Sequence, residues 1–172
     1  MILLHNIGER INSNYNTLEE ILAQNEDLSF DGVYTSVYKH RFRLGDWKRK
    51  TGKRVILFVG GNTVGGDNSF EPSMPREYFC DWDQLFDMSL HFGFEIGWHT
   101  WTHLNLCALP DEMVIKEITP PEGMDMASFA YPYGNCCQRV AQLVKDAGFT
   151  EAWSVREGDG SQFQKHRRYL NW

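Results

Sequence analysis

Val55-Ile-Leu-Phe-Val59 is an unbroken apolar run, rich in β-branched residues, that stops at Gly60-Gly61. Its length and content are those of a strand buried on both faces. Moving outward, Asp81 offers an N-cap with Gln84 at the reciprocal position, Leu85, Met88 and Phe92 follow along one face, and Gly93 suits the helix end. Phe94-Glu-Ile-Gly-Trp98 then reads as a strand abutting His99. On the other side, a helix is expected around Ser36 to Leu44, and Lys48-Arg-Lys-Thr-Gly-Lys-Arg54 reads as a solvated lead-in to the apolar run. Leu28 to Phe30 form a brief strand broken at Asp31-Gly32, and Thr17 caps a helix carrying Glu20, Leu18, Ile21 and Leu22. Met1 to Leu4 form a first strand ending at His5.

Downstream, residues 104–123 show irregular apolar spacing and Pro120-Pro121, and no element is assigned there. Met126 to Tyr131 read as a strand closed by Pro132-Tyr-Gly134, Cys136 to Asp146 as a helix stopped by Gly148, and Phe149 to Val155 as a strand. Strands alternating with helices predict a single α/β domain over residues 1–172, with a parallel sheet or an incomplete (β/α) barrel. The loop from Gly60 to Phe79 is long and rich in Gly, Asn, Ser and Pro, which makes it a candidate rim.

Seventeen basic and 23 acidic residues give a net charge of −6, so a general nucleic-acid footprint has no support. The composition, 42% hydrophobic and 14% aromatic, is that of an ordered core. Four cysteines, two of them adjacent and none in a C-x-x-C pair, read as reduced thiols. The amino terminus carries no basic leader, and no stretch reaches membrane-spanning length. As written, the chain reads as cytoplasmic; an extracellular or envelope location follows if a leader is missing from this sequence.

In parallel α/β folds the functional groups gather at the carboxyl ends of the strands. His5, Asp31, His99 and Tyr133 each stand just beyond an expected strand. His99 and His103 lie four apart in His-Thr-Trp-Thr-His, a spacing that a helix or a tight turn can bring to one ion. With Asp31 they make a two-histidine, one-carboxylate set that leaves a position for water on zinc. Each has a plainer reading: hydrogen-bonded histidines, a turn carboxylate, and a rigid Tyr-Pro-Tyr-Gly turn. The alternative for Tyr133 is that a backbone N–H of its loop faces a developing oxyanion.

The ordered series LLHNIG, LSFDG, VILFVGG, EIGWHTWTH, FAYPYG and DAGFTEAWSV resembles the polysaccharide deacetylases of the NodB-homology type, carbohydrate esterase family 4. The resemblance spans most of the chain. It implies a compact, distorted or incomplete (β/α) barrel and a metal-dependent hydrolase, with Asp31, His99 and His103 as ligands and Asp31 and Tyr133 in catalysis. Zinc is the implied ion, with cobalt and nickel as alternatives. The implied partner is an N-acetylated glycan or oligosaccharide, which loses acetate; Trp98, Trp101 and Tyr131 are candidate flat surfaces for a sugar.

Three departures bear on mechanism. The family's T-F-D-D-G pairs a base with a metal ligand, whereas Ser29-Phe-Asp-Gly32 carries one carboxylate, which takes either role. The family's R-x-P-Y arginine, which orients the base, is replaced by Ala130-Tyr-Pro-Tyr133. The Leu-x-His element supplying the general acid is absent; His166, in a terminal basic strand, is the only late histidine, and His5 resembles the histidine of a short opening motif. These departures keep a second reading open: a weakened or inactive carbohydrate-binding relative on the same fold.

Overall fold

The computed structural model describes residues 1–5, 7, 17–72 and 74–170. Among them, eight short parallel strands form one sheet: β1 (Ile2–Leu4), β2 (Leu28–Asp31), β3 (Val55–Val59), β4 (Glu95–Trp98), β5 (Ser128–Ala130), β6 (Glu151–Ser154), β7 (Lys165–His166) and β8 (Arg168–Tyr169). Their spatial order is β7-β6-β5-β4-β3-β2-β1-β8. Only Arg167 separates β7 from β8, so both edges of the sheet belong to one piece of chain. The Arg167 N–H donates to the Ser154 carbonyl at 2.8 Å and the Arg168 N–H to the Met1 carbonyl at 3.2 Å. Residues 165–169 thereby stitch β6 to β1, and the sheet curls into a nearly closed, distorted barrel. Helices α1 (Leu18–Ala23), α2 (Thr35–Lys39), α3 (Arg41–Thr51), α4 (Trp82–Phe92), α5 (Asp111–Ile118) and α6 (Gln138–Asp146) surround it.

The two-residue period of each strand sends side chains to two destinations. On β3, Val55, Leu57 and Val59 pack outward with Trp47, Leu85 and Met88, while Ile56 and Phe58 join Ala130 and Trp153 inside the barrel. On the other half, Trp98, Phe129 and Ala152 pack with Val114 and Ile118 of α5 and Val140 and Val144 of α6. Gly97 leaves room inside, because a Cβ there would lie 2.6 Å from the Phe58 ring and 2.9 Å from the Ser128 carbonyl oxygen.

The amino-terminal mouth of the barrel is plugged by charge. Arg54 donates to Glu95 at 2.9 and 2.6 Å and to Glu151 at 2.5 Å, while Lys165 and the Ser128 hydroxyl each donate to Glu151 at 2.7 Å. Burial opposes the Glu151 charge, but these donors outweigh it and draw its pKa down to about 2.

Both expected capping boxes form, at Thr17 with Glu20 and at Asp81 with Gln84. The helix expected at 36–44 is two helices meeting at His40, and the second runs to Thr51. Lys48, Arg49 and Lys50 are therefore its last turn, where cations suit the helix dipole, and are not a lead-in to β3. Residues 104–123, given no element from sequence, contain a 3-10 turn (Leu106–Ala108) and α5, which starts after Pro110 with Asp111 and Glu112 in its first turn. All four cysteines are free thiols, and no described helix is long and apolar enough to cross a membrane.

Candidate active site

Asp31 is the last residue of β2 and is 6% exposed. Gly32 follows at φ 63°, letting the chain turn sharply past the carboxylate and under the Phe79 ring. The His5 Nδ1–H, from the end of β1, donates to the Asp31 carbonyl at 3.1 Å. His99, just beyond β4 and 5% exposed, donates its Nδ1–H to the Ala130 carbonyl at 2.8 Å. That bond assigns the tautomer and leaves Nε2 as a lone-pair donor, 3.7 Å from Asp31 Oδ2 and beyond hydrogen-bond reach of it.

Residues 99–103 form a tight loop, not a helix. Thr100 and His103 sit at φ 69° and 57°, a left-handed backbone that costs on the order of 1–3 kcal/mol each and needs outside support. Support comes from the Thr100 hydroxyl, which accepts the His103 N–H at 3.0 Å, and from buried Glu117 on α5, which accepts the Trp101 and Thr102 N–H groups at 3.0 and 2.9 Å. The loop after β3 lies against it, with the Gly61 and Asn62 N–H groups donating to the Thr100 and Trp101 carbonyls. The result brings the His103 ring 4.9 Å from the His99 ring and 4.6 Å from that of Tyr133.

Tyr133, at φ 57° in the turn after β5, is 59% exposed and forms one wall of the mouth. Its N–H has no acceptor among the described residues. The segment from Gly60 to Phe79 reaches the site at Phe79, which packs over Gly32; Tyr34 stacks on Phe79 at 4.3 Å and Phe79 on the exposed Phe70 at 6.2 Å. Trp98 and Tyr131 offer no face to a sugar, being 0% and 1% exposed; the Trp98 indole N–H donates to the Glu117 carbonyl and the Tyr131 hydroxyl to the Phe163 carbonyl. His166 is exposed and does not join the mouth.

The residue that sequence reasoning missed is Arg167, 1% exposed inside the barrel. Its two terminal nitrogens meet the two Asp31 oxygens at 2.6 and 2.9 Å, and one of them also donates to the Ser29 hydroxyl at 3.1 Å. The available signal was the alternation in Lys165-His-Arg-Arg-Tyr169. A strand turns Lys165 and Arg167 to one face, and their cationic groups lie over the interior rings of Trp153 and Phe58.

Burial opposes the Asp31 charge, but Arg167 first and His99 second hold its pKa below the ordinary carboxylate range. Burial pushes the pKa of His99 down despite the attraction of Asp31. His103 is pushed down as well, by desolvation and then by His99. The mouth therefore holds an ionised, charge-paired carboxylate beside two neutral imidazoles.

Neutral imidazoles with uncommitted lone pairs suit a borderline divalent cation, and the His99–His103 pair fits one on that ground. Asp31 fits less well as a third donor, because both of its oxygens serve Arg167. Among the described residues no group of three His, Cys, Asp or Glu side chains is placed to hold an ion.

The fold is a parallel β/α barrel that gathers titratable groups at the carboxyl ends of its strands. The chain belongs to the polysaccharide deacetylase family, whose model matches residues 5–152. Among solved structures, IcaB from Ammonifex degensii is similar with a TM-score of 0.75 at 16% identity, over 99% of this chain and 91% of that one. The Streptococcus pyogenes deacetylase PplD, in complex with acetate, gives 0.71 at 15% identity over 99% and 91%. The BpsB deacetylase domain from Bordetella bronchiseptica gives 0.71 at 15% identity over 98% and 94%. At those identities the likeness carries the fold. No curated protein matches the chain.

Proposed function

We propose that the chain removes acetyl groups from an N-acetylated sugar, oligosaccharide or polysaccharide, using His99 and His103 to hold a divalent ion, zinc first, with cobalt or nickel as substitutes. The observation that carries this reading is the meeting of Asp31, His99, His103 and Tyr133 at one mouth of the barrel. A bound ion supplies Lewis-acid polarisation of the acetyl carbonyl and eases deprotonation of water.

The protein groups do the rest. Asp31 accepts the proton of the attacking water, a role left to it because its oxygens are already paired with Arg167; acting as the third ligand would require loosening that pair. Attack on the acetyl carbon generates an oxyanion, toward which the Tyr133 N–H donates. Protonated Asp31 returns that proton to the amide nitrogen as the C–N bond breaks, so the amine leaves with the sugar and acetate is released. The exposed rings of Tyr133 and Phe70 are candidate sugar contacts. The lowered pKa of Asp31 makes it a weak base, which favours low to moderate turnover.

Acetate release should be measured on zinc-, cobalt- and nickel-loaded protein with chitooligosaccharides, peptidoglycan fragments and an acetylated β-linked glucosamine polymer. The expected result is release that disappears in the His99→Ala/His103→Ala double variant. Glycan binding without metal-dependent release would overturn hydrolysis in favour of a binding protein, a reading favoured by the single carboxylate of Ser29-Phe-Asp-Gly32 and by the lack of a three-ligand group among the described residues.

A further inference from the structure

We propose that Arg167, delivered by the strand that closes the barrel, is the positioning residue for Asp31; this rests on the reading of Asp31 as proton acceptor. Among the described residues Arg167 is the only cation bonded to that carboxylate, and it binds fork to fork, at 2.6 and 2.9 Å. A bidentate guanidinium fixes the plane of a carboxylate as well as its charge, which a lysine ammonium cannot do.

The fork is itself held. The Arg167 N–H is anchored on Ser154 of β6, and its neighbour Arg168 on Met1 beside β1. The Ser29 hydroxyl accepts from the guanidinium at 3.1 Å and donates to the Ile2 carbonyl at 3.1 Å. The Phe58 ring lies beneath the guanidinium, 4.9 Å away. Backbone, hydroxyl and ring leave it little freedom.

Barrel closure does not explain this arrangement. Closure already has its electrostatic plug at the other mouth, where Arg54 and Lys165 meet Glu95 and Glu151. Arg167 instead serves the mouth that holds the histidines. Next to Asp31 the competing polar group is His99 Nε2, 3.7 Å from Oδ2. Both Asp31 oxygens are engaged by the guanidinium fork, which fixes the carboxylate short of that nitrogen. Arg167 keeps the two groups adjacent and separate.

The test compares Arg167→Lys, Arg167→Ala and wild type as metal-loaded proteins, reading kcat and KM for acetate release alongside thermal midpoint and near-ultraviolet circular dichroism. Arg167→Lys retains the buried charge and is the variant expected to stay folded. Its kcat is expected to fall by about 10²-fold or more, the usual scale for misplaced proton transfer, with KM nearly unchanged. In folded Arg167→Ala, added guanidinium ion at concentrations below those that unfold the protein is expected to restore part of kcat. A folded Arg167→Lys protein with nearly wild-type kcat would overturn the proposal. So would a rate loss that follows only the unfolded fraction and resists guanidinium. Wild-type protein that releases no acetate from any substrate overturns the hydrolase reading itself, and the proposal with it, a result distinct from both.

Discussion

Glu117 holds Thr102 at both polar ends, one carboxylate oxygen accepting its backbone N–H at 2.9 Å and the other its hydroxyl at 2.6 Å. The oxygen that takes the Thr102 N–H also takes the Trp101 N–H, so one buried side chain on α5 fixes the turn that carries both histidines. Glu117→Ala is expected to cost roughly 3 kcal/mol, since it strands two backbone donors. It should also weaken ion binding by about 10-fold through misplacement of His103, the scale of lost supporting contacts around a metal ligand. Thr102→Val, which removes only the hydroxyl bond, should cost about 1 kcal/mol and leave ion affinity nearly unchanged. Denaturant unfolding and equilibrium dialysis against zinc measure both effects.

His99→Ala and His103→Ala are each expected to lower divalent-ion affinity by at least about 10-fold, because each removes a direct bond. Both imidazoles resist protonation relative to the ordinary value of 6.5. Ion binding should accordingly hold at about pH 6, where an ordinary histidine is largely protonated. Dialysis across a pH series would contradict the assignment if occupancy fell with a midpoint at the ordinary histidine value, or if either substitution left affinity intact.

Asp31→Asn separates the two roles open to this carboxylate. As proton acceptor, its loss should cut kcat by about 10²–10⁴-fold while ion affinity stays within about threefold. The variant leaves Arg167 buried without its counter-charge, a change expected to cost roughly 3 kcal/mol of stability, so rates must be taken well below its thermal midpoint. A parallel collapse of ion affinity and rate would make Asp31 a ligand.

Glu151→Gln should destabilise the protein by roughly 3 kcal/mol at neutral pH, because Arg54 and Lys165 lose a shared buried partner. The sign of the pH dependence follows from the folded pKa of about 2 against an ordinary 4.5. The stabilisation is fully present above about pH 4.5 and is lost as the pH falls toward 2. Thermal midpoints measured over that window should drop steeply for wild type and less steeply for Glu151→Gln; equal slopes would sink the idea.

Much of the architecture is legible in local chemistry. Val55–Val59 is a strand to the residue, and the Thr17 and Asp81 caps form with the partners that the sequence offers. Helix α5 escaped notice because its apolar face is short and sits between a 3-10 turn and Pro120-Pro121, where periodicity has no room to show itself. Asp31, His99 and His103 were legible because strand ends converge in a parallel barrel. Arg167 was not, since it lies 136 positions from Asp31 and only the curl of the sheet brings them together. The family motif would place its arginine at 130–133, but there Ala130 offers a carbonyl to His99 and no cation. Trp98 and Tyr131 stood open between sugar face and core, because an aromatic beside a motif has the same spelling whether it faces a ligand or a helix; both are core.

Because residues 165–169 join β6 to β1, a nascent chain leaving the ribosome carries every other strand before the one that unites them. Until that segment emerges, β1 and β6 each present an unpaired edge, the kind of surface that invites association between chains. A protein truncated before residue 165 should therefore be an aggregation-prone open sheet, whatever the quality of its helices. The Asp31 mouth and the paired edges of the sheet are completed by the same segment, so a chain that stops short of it lacks both.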